Sequence, residues 1–97
     1  MPEPEAVDHI AEVFGALSNP TRVRIVFALS MKELCVCDLS RIVGKSMPAT
    51  SQQLRELRRL RLVSYRMQGK LAYYSLTSTW VRRLVQDAAR RTDGGLE

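Results

Sequence analysis

The chain has very little of what catalysis or extracellular folding calls for. Its 97 residues include one histidine, two cysteines and one tryptophan. A single imidazole, with no acid pair in a pocket-forming context and no phosphate-cradling glycine loop, leaves no assembled set of catalytic roles, so an enzyme is not expected. Two cysteines are too few for the disulfide framework of a small secreted domain. Every apolar run falls far short of the roughly 20 residues that span a bilayer. The opening Met1-Pro2-Glu3-Pro4-Glu5 has neither the basic region nor the apolar core of a signal peptide. These absences predict a cytoplasmic protein with no membrane partner, where a cysteine pair reads as a metal ligand or a sensor rather than a structural bridge.

Charge, by contrast, is present and unevenly spread. Lysine and arginine outnumber the acids 15 to 10. Between Arg41 and Lys70 the only acid is Glu56, against Arg41, Lys45, Arg55, Arg58, Arg59, Arg61, Arg66 and Lys70, so this stretch carries +7 and the remainder −2. A concentrated basic surface suits a polyanion. The length fits one domain over residues 1–97, with flexible tails at about 1–5 and 92–97. A domain of this size buries only about 60 to 65% of its unfolded surface, so a second copy would supply missing core.

The periodicity predicts a mainly α chain with one β-hairpin. Val7, Ile10, Ala11, Phe14 and Leu17 mark a first amphipathic helix from about Ala6 to Leu17. Asn19 as cap and Pro20 at the first helical position start a second, to Leu29, with Val23, Ile25, Val26 and Leu29 inward. Val36 to Val43 forms a short third helix stopped by Gly44. Ser46 caps a fourth, from Met47 to about Leu60, in which Pro48 is tolerated in the first turn. Leu62 to Met67 and Leu71 to Leu76 flank Gln68-Gly69-Lys70 as a hairpin. A fifth helix follows from about Ser78 to Arg91.

Two helices joined by Gly44-Lys45-Ser46 make a helix–turn–helix, and the hairpin directly after it makes a wing. On the fourth helix Leu54, Leu57 and Leu60 face the core with Thr50 near them. The opposite side offers Ser46, Met47, Pro48, Ser51 and Gln52 to base edges, and Arg55 and Arg59 to phosphates. Arg66, Gln68 and Lys70 at the wing tip are placed to meet the minor groove or the backbone. The three tyrosines fall in the wing strands rather than forming an RNA-stacking platform, which favours duplex DNA over RNA. Val7, Ile10 and Phe14 with Trp80, Val81, Leu84, Val85 and Ala88 leave apolar stripes on the first and last helices. Pairing them across a two-fold axis would give a homodimer suited to an inverted repeat.

Cys35-Val36-Cys37 lies at the start of the third helix. Residues two apart on an ideal helix diverge by about 200°, so both thiolates can hold one ion only if Cys35 precedes the helix or its first turn is distorted. Zinc or cadmium usually takes four ligands. His9, the only imidazole, would add a third if it came from the other subunit, with water or a carboxylate as fourth.

Cys35-Val36-Cys37-Asp38-Leu39, Ser51-Gln52-Gln53-Leu54-Arg55-Glu56-Leu57 and Leu62-Val63-Ser64-Tyr65-Arg66 closely resemble the ArsR/SmtB family of bacterial metal-sensing repressors, as does Leu17-Ser18-Asn19-Pro20-Thr21-Arg22-Val23-Arg24-Ile25. The resemblance implies a winged helix–turn–helix homodimer that leaves its operator when an inducer binds. It points to the branch that takes a thiophilic ion of the cadmium, lead, zinc or arsenite class on a Cys-x-Cys at the third helix. The family's other site, between the last helices, needs histidines that this helix lacks; it holds Asp87 instead. Two further readings stay open: the same repressor sensing oxidants or persulfide through its thiols, and a winged-helix interaction module with no ligand sensing.

Overall fold

Each helix of the computed structural model, which describes residues 1–93, starts at a residue suited to start it. The elements run α1 (Pro4–Ala16), α2 (Pro20–Met31), β1 (Leu34–Cys35), α3 (Val36–Val43), α4 (Met47–Arg59), β2 (Val63–Gln68), β3 (Leu71–Leu76) and α5 (Thr79–Asp93). Of the expected tails, Pro4 and Glu5 belong to α1 and Thr92 and Asp93 to α5, while Gly94 to Glu97 lie outside the described residues. Proline in the first turn lets α1 begin two residues early, because that turn's amides have no helical acceptor to lose.

Local side-chain chemistry fixes the other boundaries. The Asn19 side chain accepts the amides of Thr21 and Arg22 at 2.8 and 3.2 Å and so caps α2. Ser46 Oγ accepts the Ala49 amide at 3.2 Å to open α4, and the buried Thr50 hydroxyl donates back to the Ser46 carbonyl at 2.8 Å. Gly44 ends α3 at φ 68°, a left-handed conformation that costs glycine nothing. At the end of α4 the same role falls to Arg61, at φ 60°. Its amide donates to the Arg58 carbonyl at 2.9 Å and the Leu62 amide to the Leu57 carbonyl at 3.0 Å, the bond pair of a Schellman cap without its usual glycine.

The sheet has a third strand beyond the expected hairpin. Its order is β1-β3-β2, all antiparallel. Cys35 stands opposite Tyr73, which stands opposite Arg66, so these three form one row across the sheet. Two residues are too short to show an alternating pattern, which is why β1 is invisible in the sequence.

The core gathers Val13 of α1, Ile25, Val26 and Leu29 of α2, Leu39 of α3, Leu54 and Leu57 of α4, Leu62, Tyr74 and Leu76 of the wing region, and Val81 and Val85 of α5. Two expectations are corrected here. Val23 is 38% exposed rather than inward: at 100° per residue it lies about 40° from the exposed Phe27 and about 120° and 160° from the buried Leu29 and Ile25. Val81 and Val85, expected at a subunit interface, are 0% and 8% exposed inside this chain's own core. They are held there as α5 docks on α2: Arg82 donates to the carbonyls of Ser30 and Leu76 at 2.6 and 3.0 Å, and Gln86 to Ser30 at 3.1 Å. These bonds satisfy a carbonyl in the last turn of α2 that has no partner within its helix.

Candidate DNA-reading face and thiol site

The outer side of α4 is built by the inward pull of Leu54, Leu57 and Leu60. With those buried, Ser46, Met47, Pro48, Gln52 and Arg55 are exposed in one strip, and Ser51 is half-buried beside them. A brace from α2 sets the helix: Arg22 Nε donates to Gln53 Oε1 at 2.7 Å. The wing places Arg66, Gln68 and Lys70 in solvent, with Gly69 at φ 64° making the reversal between β2 and β3.

The cations on this face are not equivalent. Arg55 and Lys70 have no ion pair among the described residues. Arg59 is engaged twice, by Glu56 at 2.7 Å and by Glu12 of α1 at 3.5 Å. Arg59 holds the Glu56 carboxyl below its ordinary range, and its own guanidinium is raised in turn. Arg58, which the sequence reading counted only as charge, stacks over the Tyr65 ring at 4.6 Å. Arg66 is held by Glu33, with Nε to Oε2 at 3.0 Å and Nη2 to Oε1 at 2.7 Å, while its Nη1 donates to Gln68 Oε1 at 2.9 Å. The sequence separation of 33 between Glu33 and Arg66 gives the sequence no signal of that contact.

The cysteine pair lies at the junction of β1 and α3. Cys35 is the helix cap, extended at φ −78° and ψ 163°, and its Sγ accepts the Asp38 amide at 3.4 Å. This meets the geometric condition read from the sequence, since the first cysteine precedes the helix. The two Cα atoms are 5.4 Å apart and the sulfurs are joined as a disulfide. The Asp38 carboxylate joins them, the three prospective donor atoms lying within 4.8 Å of one another. Cys35 is buried, and Cys37 and Asp38 are half-buried. Asp38 was not anticipated as a ligand, although its position directly after Cys37 was the available signal. His9 is an exposed residue of α1 beside Glu12, Arg59 and Ser78, and this chain does not bring it to its own thiols.

In their reduced, deprotonated form, two thiolates and a carboxylate fit a borderline or soft divalent ion. The donors come from one short segment, so folding alone assembles them. A metal there would neutralise the thiolates and fix their direction at the first turn of α3.

A short helix, a glycine turn, a second helix with a polar outer face and an adjoining hairpin define a winged helix–turn–helix. The family model described as "Bacterial regulatory protein, arsR family" matches residues 19–65. A cadmium resistance transcriptional regulatory protein CadC homolog from Staphylococcus aureus is 48% identical over 80 residues, 81% of this chain and 66% of that protein. The arsenical resistance operon repressor of Escherichia coli is 37% identical over 83 residues, 81% of this chain and 71% of the repressor. Among solved structures, HlyU from Vibrio cholerae superposes with a TM-score of 0.87 at 30% identity, covering 94% of this chain and 99% of HlyU. A winged helix–turn–helix domain from Mycobacterium bovis, described as homodimeric, gives 0.81 at 27% identity over 96% of this chain and 88% of that one. The chain belongs to the arsR family of bacterial regulators, and it spans about two thirds of the length of the curated relatives it matches.

Proposed function

We propose that this protein is a DNA-binding transcriptional repressor that releases its operator when a thiophilic metal ion binds Cys35 and Cys37. The observation that carries the reading is Cys35 as an extended helix cap, which turns its sulfur toward Cys37 and Asp38 beside the reading head. The relatives named for cadmium and arsenical resistance support a thiophilic inducer of the cadmium, lead, zinc or arsenite class. Asp38 is the carboxylate closest to hand, and His9 of a second subunit would complete a four-ligand shell.

DNA is read by Ser46, Met47, Pro48, Ser51, Gln52 and Arg55, and held by Arg55, Arg59 and the wing residues Arg66, Gln68 and Lys70. The protein acts as a homodimer on an inverted repeat. The exposed Val7, Ile10, Phe14 and Trp80 of α1 and α5, with Leu84 and Ala88, supply the joining surface. Phe14 and Trp80 already meet edge to face, ring centroids 6.3 Å apart, so the two helices present one continuous apolar surface. No helix among the described residues is long and apolar enough to cross a membrane. Titrating reduced, oxygen-free protein with each ion while following fluorescence anisotropy of its promoter duplex tests the reading. Release by at least one of cadmium, lead, zinc or arsenite at near-stoichiometric concentration is expected, and retention by all of them refutes it.

A second input has its own support. The 5.4 Å separation of the cysteine Cα atoms lies within the range a disulfide spans, so oxidation of both thiols is geometrically open. Release by a peroxide or persulfide from metal-free protein, reversed by a dithiol, would favour it.

A further inference from the structure

We propose that Glu33 is a gate on the wing: its carboxylate competes with a DNA phosphate for the Nε/Nη2 edge of Arg66, and its place directly before the strand of Cys35 ties that competition to the thiol site. The tie to ligand binding rests on the function proposed above, whereas the competition itself does not.

Three observations meet in Glu33. First, its two oxygens take the Nε and Nη2 donors of Arg66 in a fork, the arrangement a phosphate would need to take for itself. At that edge of Arg66 the carboxylate and a phosphate exclude each other. A carboxylate left at that spot would also face an incoming phosphate with like charge. Second, the registers Leu34↔Tyr74 and Cys35↔Tyr73 place Glu33 on the same sheet face as Cys35, Tyr73 and Arg66. The contacts agree, since Ser75 on that face donates to Glu33 at 3.1 Å and the Arg66 guanidinium lies 5.2 Å from the Tyr73 ring centroid. Third, β1 is only two residues long, so the bonds from Arg66 and Ser75 to Glu33 are a large part of what fixes its beginning. A ligand that draws the Cys35 backbone toward Cys37, and so disturbs its cap on α3, pulls on the residue two positions before it through that short strand.

The gate gives the wing a two-state element, with Arg66 either on Glu33 or on the DNA backbone. Because Arg66 is assigned to the backbone rather than to base edges, opening the gate acts on all sequences alike.

The test uses the full chain with Glu33→Gln, and Glu33→Ala as a second variant. In metal-free reduced protein both are expected to bind operator and random duplex more tightly than the unaltered protein. The salt dependence should steepen by about one unit of slope, which makes the loss between 50 and 200 mM salt about fourfold greater. In an Arg66→Ala background the Glu33 substitution should have no further effect, an outcome that a merely structural role for Glu33 would not give. With saturating cadmium, the factor by which metal weakens operator binding should be smaller in Glu33→Gln than in the unaltered protein. Unchanged or weaker DNA binding by the metal-free variants, with melting temperatures preserved, overturns the competition. An identical cadmium factor in variant and unaltered protein overturns the tie to the thiols. Failure of every thiophilic ion to release the unaltered protein refutes the metal reading instead, and the competition is then judged on the metal-free measurements.

Discussion

Helices α4 and α5 look alike on paper, each an amphipathic helix of similar length closing on two arginines, yet the structure gives them opposite uses. Along α4 the outer strip from Ser46 to Arg55 contains no acid, so small hydroxyls, an amide and a cation face outward together. Along α5 the terminal arginines are answered by Asp87, which meets Arg90 at 3.3 Å and Arg91 at 2.9 Å and is itself held below the ordinary carboxylate range, chiefly by Arg91. What α5 leaves in the open is Trp80, 41% exposed. Asp87 answers the arginines at the end of α5 as Glu56 answers Arg59 of α4, so what separates the two helices is the acid-free strip around Arg55, whose charge is left to meet a polyanion. One helix thereby presents an open cationic strip, and the other packs on its own chain and leaves an apolar ring in the open.

The sharpest way to break this comparison is to separate the two layers of α5. Val81→Asp buries a carboxylate in the protomer core and should unfold the protein, at a cost of about 4 kcal/mol or more by chemical denaturation. Trp80→Asp should keep the folded far-ultraviolet circular dichroism of a protomer yet run as a monomer in sedimentation. Equal unfolding by both substitutions would mean that α5 has no exposed docking layer.

On α4 the comparison is sharpened by Gln52→Ala, expected to cost about 1 to 3 kcal/mol on the operator and little on random duplex, since Gln52 is assigned to a base edge. An equal loss on both would move Gln52 to the phosphates. Arg61→Gly at the end of the same helix should stabilise the fold by about 1 kcal/mol in urea unfolding, because a left-handed backbone costs a non-glycine residue that much. No gain would show that the arginine side chain offsets the strain.

Acid has the smallest expected effect. The carboxyls of Glu33, Glu56 and Asp87 are each held below their ordinary values, by Arg66, Arg59 and Arg91 respectively. A carboxyl depressed in the folded state stabilises it above the unfolded value, and this contribution is lost as pH falls through the folded one. The three pairs should therefore be intact at neutrality and fade only below about pH 4, with Glu33→Gln removing part of that acid dependence in a stability–pH profile.

The helix boundaries and the exposed strip of α4 were legible because each depends on chemistry within a few residues: Asn19 before Pro20, Gly44 after Val43, Ser46 four before Thr50. The thiol geometry was legible for the same reason, as Cys35 can meet Cys37 only if it precedes the helix, and it is the extended cap of α3. The division of α5 was not, because a single apolar stripe serves both its own core and the open surface, and only the docking of Arg82 and Gln86 on α2 says which residues go where. Nor were the distant partners of Arg59 and Arg66 legible. Glu12 and Glu33 reach them across the fold, and nothing in the spacing of the chain records such a meeting.

The central claim is that the thiol segment governs the reading head without being part of it. Operator affinity should be measured for the reduced unaltered protein, Cys35→Ser and Cys37→Ser, each with and without saturating cadmium. The claim predicts equal metal-free affinities for all three, and a cadmium-induced loss of about 5- to 150-fold, a coupling of about 1 to 3 kcal/mol, in the unaltered protein alone. An equal loss in both serine variants would place the sensing site elsewhere and contradict it.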